Sequence, residues 1–136
     1  MNGTWDEARL VADGFERVLV ELEWYDGPRA GVVGVGGAPH YFDGFGQYTG
    51  DGAGGYRVWP VAAEAAAWER EQWAIQARWG ARPGPDGVDP RYDELTALLA
   101  EHRREPEDAR LLVGELRNTG AGNDAEGTGH WFRWQL

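Results

Sequence analysis

Three residue types are missing from the 136-residue sequence: cysteine, serine and lysine. Without cysteine the chain can form neither a disulfide nor a thiolate metal site. Without serine or cysteine it also lacks the usual Ser–His and Cys–His nucleophile pairs. The 13 basic residues are all arginines, a bias typical of proteins from GC-rich bacteria. Because a cysteine-free chain also fits a reducing compartment, we expect a bacterial cytoplasmic protein.

The sequence also has no long apolar run and no excess of positive charge. No segment approaches the roughly 18 consecutive apolar residues of a membrane helix, and the first residues lack the apolar run of a signal peptide. The formal net charge of −10 opposes binding to a phosphate backbone. We therefore expect no association with membranes or nucleic acids, and we expect any protein partner to offer a basic surface.

The residues that are present supply enough apolar material for one core. Hydrophobic residues make up 42% of the chain and include eight tryptophans, and each such ring can bury about 150–250 Å². A chain of this length buries roughly two-thirds of its unfolded surface, so it needs no metal or disulfide for stability. We expect a single domain over residues 1–136, with residues 1–13 as a loose N-terminal segment.

Alternating apolar and polar residues predict six β-strands. In the first strand, alternation places four apolar residues on one face and Glu21 and Glu23 on the other, solvated face. Gly36 and Gly37 predict a two-residue hairpin between the second and third strands. The apolar face of the first strand comprises Val18, Val20, Leu22 and Trp24. The predicted strands are residues 15–25, 29–35, 39–45, 56–59, 110–116 and 130–136.

Apolar residues at three- and four-residue spacing predict two helices after the fourth strand. The first, residues 60–79, should bury Trp68 and Ile75. The second, residues 90–104, begins with Asp89 as its N-cap. Because the strands are grouped apart from the helices, the sequence predicts an α+β fold, a bent antiparallel sheet or partly open barrel of about six strands with two helices packed on it. The inner face of the first helix comprises Val61, Ala65, Trp68, Gln72, Ile75 and Trp79.

No motif points to a cofactor or a metal. The glycines of residues 31–37 do not form a G-x-G-x-x-G pattern, and a strand follows them where a nucleotide-binding loop requires a helix. His40, His102 and His130 lack the spacing of metal ligands. We therefore expect neither a cofactor nor a metal. The six glycines within residues 44–55 predict a mobile loop.

Two strand ends carry the densest group of residue types found in binding sites. Such a mixture of aromatic, basic and acidic groups can stack on a planar ligand and hydrogen-bond to its edges. If the second and third strands form a hairpin, Arg29, His40 and Asp43 would converge in one cleft. The alternative is a turn salt bridge between Asp26 and Arg29, with His40 in a structural hydrogen bond. The candidate ligand-binding residues are Trp24, Tyr25, Asp26, Arg29, His40, Tyr41 and Asp43.

Three sequence patterns resemble small uncharacterised bacterial proteins. The patterns are W-Y-D-G-P-R-x-G from Trp24, P-H-Y-F from Pro39 and W-A-I-Q-x-R-W from Trp73. The resemblance covers about residues 18–80 and implies that these segments belong to one recurring unit. It implies no activity, cofactor or partner, and it assigns no functional residue.

Three functions remain open at this point. The first is a small acidic protein-binding module, such as an immunity protein or an antitoxin-like inhibitor, favoured by small size, acidity and the lack of cofactor motifs. The second is a small-molecule-binding protein or a small proton-transfer enzyme, with a site near residues 24–29 and 40–43. The third is an accessory subunit of a larger complex. The sequence alone leaves open whether the protein is an enzyme.

Overall fold

The computed structural model describes residues 5–24, 28–45, 53–78 and 89–135. All six predicted strands and both predicted helices are present, and a further short helix precedes the first strand. In chain order the elements are α1 (Glu7–Ala12), β1 (Glu16–Trp24), β2 (Pro28–Val35), β3 (Ala38–Phe45), β4 (Ala53–Pro60), α2 (Ala63–Arg78), α3 (Pro90–Leu99), β5 (Arg110–Asn118) and β6 (His130–Gln135).

The six strands form a closed antiparallel barrel in sequence order. Glu16 pairs with Phe132 and Arg17 with Trp131, and these contacts between β1 and β6 close the sheet. The predicted α+β fold is therefore confirmed, with a closed barrel in place of a partly open one. A barrel of so few strands has an interior that side chains can fill. The buried interior residues are Val18, Val33, Val35, Phe42, Tyr56, Val58, Leu112, Phe132 and Trp134.

Helices α2 and α3 cover part of the outer face of the barrel and form a second core with it. Neighbouring strand residues alternate between the two cores: Val32 and Tyr41 pack under the helices, whereas Val33 and Phe42 fill the interior. The strands β1 to β4 are therefore apolar on both faces. The second core comprises Val20, Val32, Tyr41, Trp59, Val61, Ala65, Trp73, Ile75, Leu95 and Leu99.

The buried face of α2 differs from the predicted stripe. Ile75 is buried as expected, but Trp68 is only partly buried and packs its ring against His102. Trp73, which lies on the flank of the predicted stripe, is buried, and its Nε1 donates a hydrogen bond to the backbone oxygen of Asp124 at 2.7 Å. Since α2 contacts the barrel, α3 and the segment before β6, one stripe does not describe its buried surface.

Two β-bulges in β1 break the predicted alternation. The register with β2 shifts between Val18 and Val20, and again between Glu21 and Glu23. Val18 therefore lies inside the barrel while Val20 packs under the helices, and the prediction that they share a face is wrong. The second shift likewise separates Glu21 from Glu23. At the first bulge, a Cβ on Gly31 would lie 1.9 Å from the Val20 oxygen, so the close approach requires glycine.

Within the predicted loose N-terminal segment, the described residues 5–13 include a helix. Residues 7–12 form α1, and Leu10 is fully buried against Phe15 and Trp131 on the outside of the barrel. The sequence gives little sign of this helix because it has only one buried residue. No helix in the described part of the chain combines the length and apolar character needed to cross a membrane.

The two glycine-rich turns differ in how well the sequence predicts them. Gly36 and Gly37 form the expected hairpin with φ angles of 63° and 85°. Their N–H groups donate to the carboxylate of Glu16 at 3.0 and 2.8 Å. The glycine-rich segment of residues 44–55 is less of a loop than predicted, because its two ends belong to β3 and β4. The remainder, residues 46–52, lies outside the described residues.

Candidate functional site at one end of the barrel

The strand register separates the residues of the predicted cleft. His40 and Asp43 lie three positions apart on β3, in a regular ladder with β2. Their side chains therefore project from opposite faces of the sheet. Strand pairing does not bring Arg29, His40 and Asp43 into one cleft. Of the other candidates, Tyr25, Asp26 and the side chain of Trp24 lie outside the part of the chain that the structure describes.

His40 and Asp43 have separate environments. His40 Nδ1 lies 2.9 Å from the Ala38 oxygen, which is the structural hydrogen bond considered as the alternative. Asp43 is half-buried on the outer face. Burial raises the pKa of its carboxyl, and the nearby charges of Glu23 and Glu105 raise that pKa further, against the partial opposition of two arginines.

Tyr41 belongs to a buried cluster between the barrel and the helices, which we call the outer polar cluster (Tyr41, Glu69, Gln72 and Arg103). The Tyr41 hydroxyl donates to Glu69 Oε2 at 2.7 Å. Arg103 donates to both oxygens of the same carboxylate, at 2.9 and 2.7 Å, and to Gln72 Oε1 at 2.6 Å. Burial and then the charge of Glu69 raise the pKa of Tyr41 well above its usual range, so the hydroxyl remains a donor. These bonds give Tyr41 a structural role.

Arg29 lies at the rim of the barrel interior. It precedes Ala30, which pairs with Asp43, so Arg29 lies beside Gly44 on the neighbouring strand. A Cβ on Gly44 would lie 3.5 Å from Arg29 Cγ and 3.3 Å from Tyr56 Cε1. Because glycine has no side chain, the methylene groups of Arg29 can approach the buried ring of Tyr56. Among the described residues, Arg29 makes no hydrogen bond or ion pair.

Glu21 and His130 form a polar pair at the same end of the barrel. This end is where β1 finishes and where β2 and β6 begin. His130 precedes the interior residue Phe132 by two positions and so shares its strand face. His130 Nδ1 lies 3.1 Å from Glu21 Oε1, and the side chains are 14% and 15% exposed respectively. We call Glu21, Arg29 and His130 the mouth residues.

Hydrogen bonds of Thr128 join the backbone before His130 to strand β1. The fully buried Thr128 donates its N–H to the Val18 oxygen at 2.9 Å. Its Oγ1 accepts from the backbone N–H of His130 at 3.1 Å, and its carbonyl oxygen accepts from Arg17 Nε at 2.8 Å. The segment that leads into His130 is therefore fastened to β1, the strand that carries Glu21.

A carboxylate beside an imidazole is suited to proton exchange. An ionised carboxylate only accepts hydrogen bonds, so in a neutral His130 the contact with Glu21 places the proton on Nδ1 and the basic lone pair on Nε2. The pair can therefore orient a side chain that accepts and returns a proton.

The pairing of Glu21 with His130 leaves no local pattern in the sequence, for a topological reason. Glu21 and His130 are 109 positions apart, and Glu21 is predicted on a solvated face. The closure of β1 against β6, together with the bulges of β1, brings them together. One signal was available, since His130 alternates in phase with Phe132 and Trp134 in the last strand.

The mouth residues are not arranged as a metal site. Within the described ranges, no group of three or more histidine, aspartate or glutamate side chains is placed to hold a metal ion.

In comparisons with known proteins, the chain matches no protein-family model, no curated protein and no solved structure.

Proposed function

We propose that the protein binds a small anionic molecule at this end of the barrel and exchanges a proton with it through His130. The observation that carries the proposal is the Glu21–His130 pair, joined at 3.1 Å on the inner face of the barrel. This function corresponds to a small-molecule-binding protein or a small proton-transfer enzyme. Barrel mouths are common positions for such sites.

The burial of the pair favours function over simple packing. The rest of the interior is almost wholly apolar, and a polar pair there costs solvation free energy that an apolar pair would avoid. The pair lies at an end of the barrel, and its side chains keep some exposure. A proton can therefore pass between the ring and a molecule entering from solvent.

Arg29 supplies the recognition element in this proposal. Its planar guanidinium can donate two parallel hydrogen bonds to a carboxylate or a phosphate. It makes no ion pair or hydrogen bond among the described residues, and its described interaction is the longer-range attraction to the Asp43 carboxyl. In a chain with a net charge of −10, a locally available arginine at a partly enclosed position is the natural anchor for an anion.

The test uses the small number of histidines. The chain has only three, so single variants such as His40→Gln and His130→Gln assign every imidazole signal in a proton NMR spectrum. The probes are a panel of small carboxylates and phosphate monoesters, each paired with its neutral amide or alcohol. We expect members of the anionic set to shift the His130 signals, the neutral counterparts to leave them in place, and the His40 signals to stay unchanged.

Two arginine variants complete the experiment. Arg29→Gln should weaken binding by roughly tenfold or more, which is the typical worth of a charged hydrogen-bonding pair. The exposed Arg104→Gln serves as the matched control and should bind as the wild type does. The proposal fails if no anion shifts His130, or if Arg29→Gln binds as tightly as the control.

A second candidate function, a protein-binding module, is favoured by one surface. Leu111 and Val113 lie on the outer face of β5 and are 62% and 40% exposed. The acidic Glu107 and Asp108, both exposed, precede the same strand. An apolar pair beside free carboxylates suits a partner with a basic surface.

This second candidate is tested on an isolated complex. A partner that co-purifies with the wild-type protein should be identified, made separately and titrated with the purified chain. Leu111→Asp should weaken that binding by at least about tenfold, while the exposed Val11→Asp on α1 should not. Equal binding of both variants would remove the β5 surface from consideration.

A further inference from the structure

A pocket, which we call the side pocket, lies on the outside of the barrel, away from the interior face that carries the mouth residues. It has a volume of about 420 Å³, within the range of roughly 300–1,000 Å³ typical of small-molecule sites. It opens where the first bulge of β1, helix α2 and the segment between β5 and β6 meet. Its lining residues are Leu19, Arg70, Trp73, Ala125 and Glu126.

One wall of this side pocket is a tightly fastened turn. Asp124 and Gly127 pair in an isolated antiparallel bridge, and Ala125 and Glu126 form the two-residue turn between them. The Asp124 carboxylate accepts from the Glu126 N–H at 2.9 Å and from Arg17 at 3.2 Å. These same two contacts, the backbone donor first, lower the pKa of Asp124 and keep it ionised.

The buried indole of Trp73 fastens the turn to α2. Its Nε1 donates to the Asp124 oxygen at 2.7 Å, so the tryptophan joins the helix to the turn as well as lining the pocket. Because both sides of the pocket are bonded to each other, it is formed before any ligand arrives. A preformed site loses less conformational entropy on binding than one that must be assembled.

The side pocket combines an apolar floor with two opposite charges. Leu19, Trp73 and Ala125 supply the apolar part. Arg70 and Glu126 are exposed, and neither side chain forms an ion pair with the other or with another described residue. The two charges therefore line one pocket without neutralising each other, which leaves both available to a ligand.

We infer that the side pocket binds a free α-amino acid with an apolar side chain. The carboxylate would take the forked donors of Arg70, the ammonium group would face Glu126, and the side chain would lie on Leu19 and Trp73. A zwitterion adds no net charge to a protein that already carries −10, so it avoids the repulsion that a simple anion meets. This inference does not depend on the function proposed for the mouth residues.

The test compares three related probes by calorimetry and by the Trp73 indole N–H signal in NMR. L-phenylalanine carries both charges, 3-phenylpropionate lacks the ammonium group, and phenethylamine lacks the carboxylate. We expect phenylalanine to bind with a Kd of about 1 mM or tighter, and each single-charge analogue to bind roughly tenfold more weakly or worse. The indole signal should shift with phenylalanine.

Variants then assign the two charges and separate this site from the mouth. Arg70→Gln and Glu126→Gln should each weaken phenylalanine binding roughly tenfold, while the exposed Arg104→Gln and the mouth variant His130→Gln should not weaken it. Absence of phenylalanine binding at about 10 mM would overturn the inference. So would equal binding of either single-charge analogue, or undiminished binding by either Arg70→Gln or Glu126→Gln.

Discussion

Two glutamates lie on opposite faces of the barrel wall, and they differ in burial and in the number of hydrogen bonds that they accept. Glu69, outside the barrel, is 1% exposed and accepts three hydrogen bonds from Tyr41 and Arg103. Glu21, on the inner face, is 15% exposed and accepts from His130 alone among the described residues. The first carboxylate is saturated by the protein, whereas the second retains accepting capacity close to solvent.

This difference separates a structural group from a candidate functional one. A saturated buried cluster holds one arrangement, and a ligand could enter it only by breaking protein bonds. A carboxylate with a single histidine partner can accept a further hydrogen bond from an arriving molecule without losing a bond to the protein. The depth of burial alone would have pointed to Glu69, so the number of satisfied contacts is the more useful criterion here.

Removing the charged partner of Glu69 should give the largest loss of stability. Arg103→Met leaves a buried carboxylate with only the Tyr41 donor, and such an uncompensated charge typically costs about 3–5 kcal/mol. Urea unfolding of the variant and the wild type would measure the difference. Arg104→Met, at the exposed neighbouring position, should change the free energy of unfolding by less than about 0.5 kcal/mol. Equal losses would mean that the outer polar cluster contributes little.

Removing only the hydroxyl of Tyr41 should have a smaller effect of the same kind. Tyr41→Phe keeps the buried ring and both hydrogen bonds from Arg103, so we expect a loss of about 1–3 kcal/mol. Tyr92→Phe is the matched control, because its hydroxyl makes only a long contact of 3.4 Å with Gln76. If the two variants unfold at the same urea concentration, the Tyr41 bond is not a significant part of the cluster.

The elements of the fold were predictable because each leaves a local pattern. The positions of the strands, the Gly36–Gly37 turn and the Asp89 cap depend on near neighbours in sequence, and the structure confirms all three, although bulges interrupt the predicted alternation within β1. The Asp89 carboxylate accepts from the Arg91 N–H at 2.9 Å, as an N-cap should. Local chemistry was therefore enough to place the strands and helices.

The candidate site was not predictable, because the Glu21–His130 contact depends on how distant strands pair. A bulge forms when a partner strand offers one residue for two, so the shifts in β1 have no signature in β1 itself. Those shifts turn Glu21 inward, and the closing strand brings His130 to it. The same limit explains why the burial of Trp73 on α2 was not predicted, because its hydrogen-bond partner Asp124 is 51 positions away in the sequence.

Removing the partner of Glu21 should cost little stability and much function, which is the reverse of the result for Glu69. In His130→Gln the carboxylate lies near enough to the barrel end to be hydrated, so we expect a loss of about 1 kcal/mol or less. Binding of the anionic probes should nevertheless fall roughly tenfold or more. A loss comparable with that of Arg103→Met, with probe binding unchanged, would make Glu21 and His130 a second structural cluster.

Asp43 provides a third carboxylate for the comparison, and its substitution should change stability less than the substitutions of Arg103, Tyr41 and His130. Burial and then the charges of Glu23 and Glu105 hold the pKa of the Asp43 carboxyl above its ordinary value. A raised pKa in the folded state means that the native protein binds the proton more readily than the unfolded chain does. The contribution to stability is therefore fully present below the unfolded pKa, near 3.9, and is lost as the pH rises through the folded pKa.

The ionised Asp43 should thus slightly destabilise the fold at neutral pH, and Asp43→Asn should remove that penalty. We expect the variant to melt a little higher than the wild type at pH 7, and the difference to shrink or reverse below about pH 4. Asp93→Asn, at an exposed position on α3, controls for loss of one negative charge. A lower melting temperature for Asp43→Asn at pH 7 would show that the attraction to Arg29 and Arg57 outweighs burial and repulsion. In that case Asp43 would be held in place by those arginines, and part of the charge of Arg29 would already be engaged before any anion reaches the barrel end.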